Sequence, residues 1–234
     1  MREKIIPGNI YHVLSRGVDK RKIFLNNKDY FRFIHDLFEF NNKEPLKNLT
    51  YYFKKGQSKV SARPKIEEGR ESRKLLVEIL AFCLMPNHYH LLFRSLSSDG
   101  IVKFMKRLNM GYAKYFNEKY QRKGTLFEGR YKLVSVSKES HFIHLPYYIH
   151  LNPLDLIMPK WRKGKIEDYK KAFNFLENYR WSSYLDYIGE KNFPSVTQRD
   201  FLLEFFSGNK EYKKKIEGWI KERGLQNIKS ILLE

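Results

Sequence analysis

The sequence predicts an α+β fold, an antiparallel sheet with helices on one or both faces. Three observations carry this. Short apolar runs and longer amphipathic segments follow one another in the order strand, helix, strand, strand, helix, strand, helix. Two of the runs are joined only by Pro86-Asn87, a turn signal that makes them an antiparallel pair. At 234 residues the chain is long enough to bury a sizeable core and suits one domain with an appendage.

Residues 10–16 read as a first strand, closed by Gly17. From Asn27 to Phe40 the apolar positions Tyr30, Phe33, Ile34, Leu37 and Phe38 fall at i, i+3, i+4, i+7 and i+8, the stripe of an amphipathic helix. Composition then shifts: residues 42–74 carry ten Lys or Arg against four Glu, with Gly56, Pro64 and Gly69 and little periodicity. This reads as a basic insertion or hairpin that orders on DNA, or as a solvated loop. Residues 75–85 and 88–95 form the strand pair. A long helix over 100–120 sets Ile101, Phe104, Leu108, Tyr112 and Tyr115 on one side, with Lys103, Lys106, Arg107 and Lys114 around the other. A turn through Gly124–Lys132 leads into a strand from Tyr131 to Ser137, and a helix follows from about Lys138 to Leu151. Asn152-Pro153 stops it, because a residue before proline disfavours helical geometry. Beyond Pro159 helical patterns return near 167–178, 181–189, 197–206 and 209–223. The division expected is a domain over 1–158 and a C-terminal helical extension over 159–234.

The formal net charge is +19 with a pI near 9.8. Charge of this sign and size points to a polyanionic partner, since each neutralised phosphate releases condensed counterions. Aromatics are 16% of residues, many beside Lys or Arg, a mixture that suits single-stranded nucleic acid stacking on rings along a basic groove. Cys83 is the sole cysteine and lies in an apolar run, so no internal disulfide forms and a reducing cytosol fits. No signal peptide opens the sequence, and no run of apolar residues is long enough to span a membrane. The expectation is a soluble cytoplasmic protein facing nucleic acid.

The chemistry centres on His88-Tyr89-His90. In a strand, residues two apart share a face, so His88 and His90 project together. A paired imidazole presentation can hold one divalent ion; two ordinary strand histidines are the alternative. On the helix before Pro153, Tyr148 and Asn152 lie four apart on one face. Asn152 offers a carboxamide oxygen as a third ligand or, alternatively, caps the helix end. Tyr148 brings a phenol oxygen beside such an ion, where a cation activates it or polarises a phosphate. Adjacent Tyr147 points about 100° away around the helix and has no partner at i+4. Arg16, Lys103, Arg107, Arg130 and Lys132 are candidate DNA contacts, while Glu128 and Arg130 also suit a structural ion pair. One cysteine and no matching carboxylate spacing leave no zinc signature.

Met85-Pro86-Asn87-His88-Tyr89-His90 followed by Tyr148-Ile149-His150-Leu151-Asn152-Pro153 resembles the single-tyrosine HUH endonucleases, in particular the IS200-like and REP-associated tyrosine transposases. Further matches are Tyr11-His12-Val13 through Arg16-Gly17, then Leu126-Phe127-Glu128-Gly129-Arg130-Tyr131-Lys132, and Trp181-Ser182-Ser183-Tyr184. The resemblance covers roughly residues 8–190. It implies a ferredoxin-like (RRM-like) palm and a metal-dependent nuclease that cuts and rejoins single-stranded or hairpin DNA through a 5′-phosphotyrosine. By position it implies His88, His90 and Asn152 as ligands of Mg²⁺ or Mn²⁺ and Tyr148 as nucleophile. A bacterial, nucleoid-associated enzyme acting as monomer or homodimer is the expectation; a domesticated, non-catalytic binder of hairpin DNA or RNA is the alternative. Three departures stand out. Tyr89 occupies the middle HUH position and should face the opposite side of the sheet. Pro146 should kink or restart the tyrosine helix. The insertion over 42–74 is long for the family.

Overall fold

A computed structural model describes residues 4–44, 73–163 and 166–221. Four strands, β1 (Ile10–Arg16), β2 (Val77–Met85), β3 (His88–Ser95) and β4 (Lys132–Ser135), form one antiparallel sheet in the order β2-β3-β1-β4. Helices α1 (Asn27–Glu39) and α2 (Gly100–Lys119) make the two crossovers, β1-α1-β2 and β3-α2-β4. This is the ferredoxin-like βαββαβ arrangement. α3 (Glu139–Leu151), α4 (Tyr169–Asn178), α5 (Tyr184–Tyr187), α6 (Asp200–Phe205) and α7 (Asn209–Lys221) follow.

Strand alternation splits the sheet into two faces. Tyr11 and Val13 of β1, Val77, Ile79, Phe82 and Leu84 of β2, and Tyr89, Leu91 and Phe93 of β3 pack with α1 and α2. Leu80, Ala81, Cys83, Met85 and Leu92 join a second core with α3 and the C-terminal helices. The pattern slips at Leu80 because β2 carries a bulge between Ile79 and Ala81, which lets Leu80 and Ala81 both serve the second core. Tyr89 faces α1 and α2, as its position between the histidines requires, and its ring meets that of Phe33 at 4.7 Å in a tilted contact.

α1 opens on a capping box: Asn26 accepts from the Lys28 amide, and the Asp29 carboxylate accepts from the Leu25 and Asn26 amides. α3 runs unbroken from Glu139 to Leu151 with Pro146 inside it. The expected restart at Pro146 does not occur, because packing of Leu145, Tyr147, Ile149 and Leu151 in the second core fixes the helix on both sides of the proline.

The described residues of 159–221 are part of the sheet's packing. Trp181-Ser182-Ser183 lie along the open edge of β2, where the Leu84 amide donates to the Trp181 carbonyl (2.9 Å) and the Ser183 amide to the Phe82 carbonyl (3.0 Å). The Tyr179 and Tyr187 hydroxyls donate to the Leu84 and Leu80 carbonyls, each at 2.6 Å. An open strand edge is a template for unwanted pairing, and this segment covers it. α4, α5, α6 and α7 then close the second core over α3. The segment read as an appendage therefore shares a core with the palm. The helical pattern extending to 223 runs past Lys221 and outside the described residues. Most of the insertion over 42–74 also lies outside them, but its two ends meet: the Lys43 amide donates to the Lys74 carbonyl at 2.7 Å, beside a bridge between Asn42 and Leu75.

Candidate active site

The register of the sheet assembles the site row by row on the face beneath α3. Arg16 pairs with His88, Leu14 with His90, and His12 with Leu92. On the other side of β1, Lys132 pairs with Leu14 and Val134 with His12. Because β1 alternates in register with β3, His12, Leu14 and Arg16 share the face of His88 and His90.

His88 and His90 sit edge to face, ring centroids 5.0 Å apart. Each ring's Nδ1 has an orienting partner. That of His88 lies 2.7 Å from the Asn87 side-chain oxygen, and that of His90 lies 2.9 Å from Nε2 of His12. Asn87 offers an acceptor there, so His88 carries its proton on Nδ1 and its lone pair on Nε2. The rings of His12 and His90 stack at 5.1 Å. His88 thus shows the second-sphere arrangement by which metal-binding imidazoles are commonly aimed, while His90 is held by a second imidazole, His12.

α3 lowers Tyr148 onto these rings. Its ring meets His90 at 5.7 Å and His12 at 6.4 Å, both edge to face. Tyr147 turns into the second core against Phe206, Tyr212 and Trp219, where burial raises its pKa. Asn152 is fully buried, one turn on from Tyr148: its side-chain amide donates to the Tyr148 carbonyl (2.9 Å) and its oxygen accepts from Arg162 (2.8 Å). The carboxamide oxygen expected to face a metal thus has one of its two lone pairs committed to a guanidinium.

Arg162, in a short 3-10 turn after Pro159, is the residue the sequence reading missed. Its Nη1 donates to the Tyr148 hydroxyl oxygen at 2.6 Å, and its Nε and Nη2 both bond the Asp155 carboxylate. Asp155 also accepts from the Trp161 indole (2.6 Å). His12 was the other omission, and period-two alternation with Arg16 was the signal that could have found it. No local signal marks Arg162, whose partners are set by how the chain after α3 folds back.

The basic candidates divide. Arg16, Arg130 and Lys132 line a cleft of about 110 Å³ with Leu14, Ser15 and Glu128, next to the His88 row. Gly129 turns the chain into this cleft at φ +63°, a conformation that favours glycine. Lys103 and Arg107 lie elsewhere. α2 packs on the opposite face of the sheet, Lys103 pairs with Asp99 at 2.5 Å, and Arg107 donates to the Asn42 and Lys43 carbonyls at the root of the insertion. No group of three or more His, Cys, Asp or Glu with metal-holding geometry occurs among the described residues. The imidazole pair is what suits a divalent ion here.

His150 is a structural histidine. Fully buried, it bonds the Tyr212 hydroxyl (2.6 Å) and the Ser183 hydroxyl (2.7 Å), and desolvation pushes its pKa down to about 3.

Residues 59–152 match the family model described as Transposase IS200 like. Among solved structures, the fold is similar to that of a REP-associated tyrosine transposase bound to a REP hairpin. The TM-score is 0.50 at 14% identity, over 84% of this chain and 88% of that one. No curated protein matches.

Proposed function

We propose, from the match of residues 59–152 to the IS200-like transposase family model, that the chain is a metal-dependent DNA strand transferase. Its substrate is single-stranded DNA beside a hairpin, its nucleophile is Tyr148, and its intermediate is a 5′-phosphotyrosine. The observation that supports this most is the meeting of Tyr148 with His90 and His12, from three separate elements, beside a cleft lined by Arg16, Arg130 and Lys132.

In the proposed reaction the Tyr148 phenol loses its proton to a solvent base. Its oxygen forms a bond to phosphorus, and the bond from phosphorus to the 3′-oxygen breaks. The leaving oxygen keeps the electron pair and takes a proton to become a 3′-hydroxyl. The phosphodiester energy is conserved in the tyrosyl ester, so a 3′-hydroxyl can later attack it, restore the strand and release the phenol. His88 and His90 would hold Mg²⁺ or Mn²⁺, which supplies charge neutralisation at the phosphate. His12 and Asn87 aim the two rings. Arg16, Arg130 and Lys132 bind the strand backbone, which positions it without reading its sequence. Tyr148 is fully buried, so a strand reaches its oxygen only when the covering residues part. Among the described residues no helix is long and apolar enough to cross a membrane.

The test is a hairpin-flanked single-stranded oligonucleotide incubated with Mn²⁺ and run on a denaturing gel. The wild-type protein gives a covalent adduct and Tyr148→Phe gives none. An adduct persisting in Tyr148→Phe overturns the nucleophile; tight, salt-sensitive binding with no adduct under any divalent ion favours the non-catalytic hairpin binder instead.

A further inference from the structure

Arg162 has no role in the reading above, yet its guanidinium spans three groups of the site. Its Nη1 donates to the Tyr148 hydroxyl oxygen at 2.6 Å, and its Nη2 to the Asn152 carboxamide oxygen at 2.8 Å. The Asp155 carboxylate holds the edge formed by Nε and Nη2, at 2.6 to 3.1 Å. Asp155 is fixed in turn by the Trp161 indole at 2.6 Å. The guanidinium also lies over the rings of Tyr148 (4.9 Å) and Trp161 (5.0 Å). Asp155, Asn152 and the two rings thus aim the Nη1 end at the Tyr148 oxygen. Tyr148 is fully buried, whereas the Arg162 side chain is 22% exposed. Arg162 is therefore bonded to the reacting oxygen and open to solvent at once.

We propose that Arg162 is a further catalytic residue, which binds a non-bridging oxygen of the scissile phosphate and stabilises the charge there during attack. The inference rests on Tyr148 being the nucleophile. Attack requires phosphorus to come within about 3–3.5 Å of the phenol oxygen. Nη1 already lies 2.6 Å from that oxygen, so the oxygens of an attacked phosphate arrive within hydrogen-bond reach of it. A cation meeting an anion there makes a short, charge-assisted bond, and arginine stays charged throughout. Its fork is already held by Asp155 and Asn152 before any strand arrives. A donor fixed in advance needs no reorganisation as charge develops in the transition state. Arg16, Arg130 and Lys132 line the cleft beside the His88 row, so their contacts with the strand leave this place at the tyrosine to Arg162.

The test uses the full chain and the hairpin oligonucleotide. The cleaved linkage is mapped from the wild-type products, and the oligonucleotide is remade with a methylphosphonate there. That change removes the negative charge and keeps the bonds to be made and broken. Single-turnover cleavage with Mn²⁺ is then measured on both linkages for wild type, Arg162→Gln and Arg162→Lys. Rates are corrected for the folded fraction, read by denaturant unfolding. On the phosphodiester Arg162→Gln should lose about a hundredfold, the effect of removing one preorganised donor. On the methylphosphonate it should cleave at nearly the wild-type rate, because the two changes remove the same contact. Arg162→Lys, which keeps the charge and loses the fork, should fall between on the phosphodiester. Binding without divalent ion is the second readout: wild type should prefer the phosphodiester, and Arg162→Gln should lose that preference. Equal loss on both linkages overturns the proposal and leaves a structural arginine. Faster cleavage by Arg162→Gln also overturns it, showing a latch over the tyrosine. If instead Tyr148→Phe retains the adduct, the nucleophile assignment fails, while the binding comparison still reports whether Arg162 touches the linkage.

Discussion

The two faces of the sheet are built by different rules. Against α1 and α2 lies an apolar core in which Phe33, Leu37, Phe104, Leu108 and Tyr112 repeat at helical spacing and meet Val13, Leu91 and Phe93 at strand spacing. Against α3 and the C-terminal helices, burial extends to His12, His90, His150, Tyr148 and Asn152, and much of the order comes from hydrogen bonds between side chains far apart in sequence. The first face is mainly apolar, with a few polar groups such as the Tyr112 and Tyr89 hydroxyls paired at its margins. The second must satisfy each buried polar group, since an unpaired one costs about 1–3 kcal/mol. Both faces bury an apolar core, and the second adds a network of paired polar side chains to it.

Mutations should separate the two. The largest expected effect is Phe104→Ala on the first face, which should cost about 3–5 kcal/mol of stability. Denaturant unfolding should show this, and the fraction still folded should form adduct at the wild-type rate. His90→Ala on the second face should lower adduct formation by about a hundredfold or more, because even the partners that orient a ligand are worth about 10- to 100-fold. His12→Ala should weaken Mn²⁺ binding within that same range, read by titration calorimetry.

Acid should also act through the second face. The native His150 stays neutral down to about pH 3, whereas an unfolded histidine takes up a proton near its ordinary value of 6.5. Between those limits the unfolded chain binds a proton that the native state refuses. The contribution of this group is therefore complete above about pH 6.5 and is lost as pH falls, by about 1.4 kcal/mol per unit. His150→Gln should flatten that part of the stability–pH curve. The smallest effect is expected at Lys103: its exposed pair with Asp99 lies away from the site, so Lys103→Ala should change hairpin affinity little. By contrast Lys132→Ala, in the cleft, should lower the salt dependence of binding by about one phosphate's worth.

The same contrast explains what could be read from the sequence. Periodicity located the strands, α1 and α2 to within a residue or two, because one apolar face writes itself at regular intervals. His88, His90, Tyr148 and Asn152 were visible as a pattern; the fold brings the Tyr148 ring to His90, while the Asn152 side chain bonds the Tyr148 carbonyl and Arg162. Arg107 is a candidate DNA contact on charge alone; its guanidinium donates to the Asn42 and Lys43 carbonyls, partners that no local pattern announces. His12 carries a period-two signal with Arg16 that places it on the face of the histidine pair, whereas nothing near Arg162 in the chain announces its partners. Pro146 misled in the opposite sense, since local propensity called for a break that the second core overrides.

The central claim is that this second face joins Tyr148 covalently to a DNA strand. Peptide mass spectrometry of the protein–DNA adduct, after nuclease trimming, tests it most directly. The account predicts a 5′-phosphonucleotide on Tyr148, dependent on Mg²⁺ or Mn²⁺ and absent from His90→Ala. A nucleotide on Tyr147 or any other residue, or no modified peptide while cleavage proceeds, would contradict it.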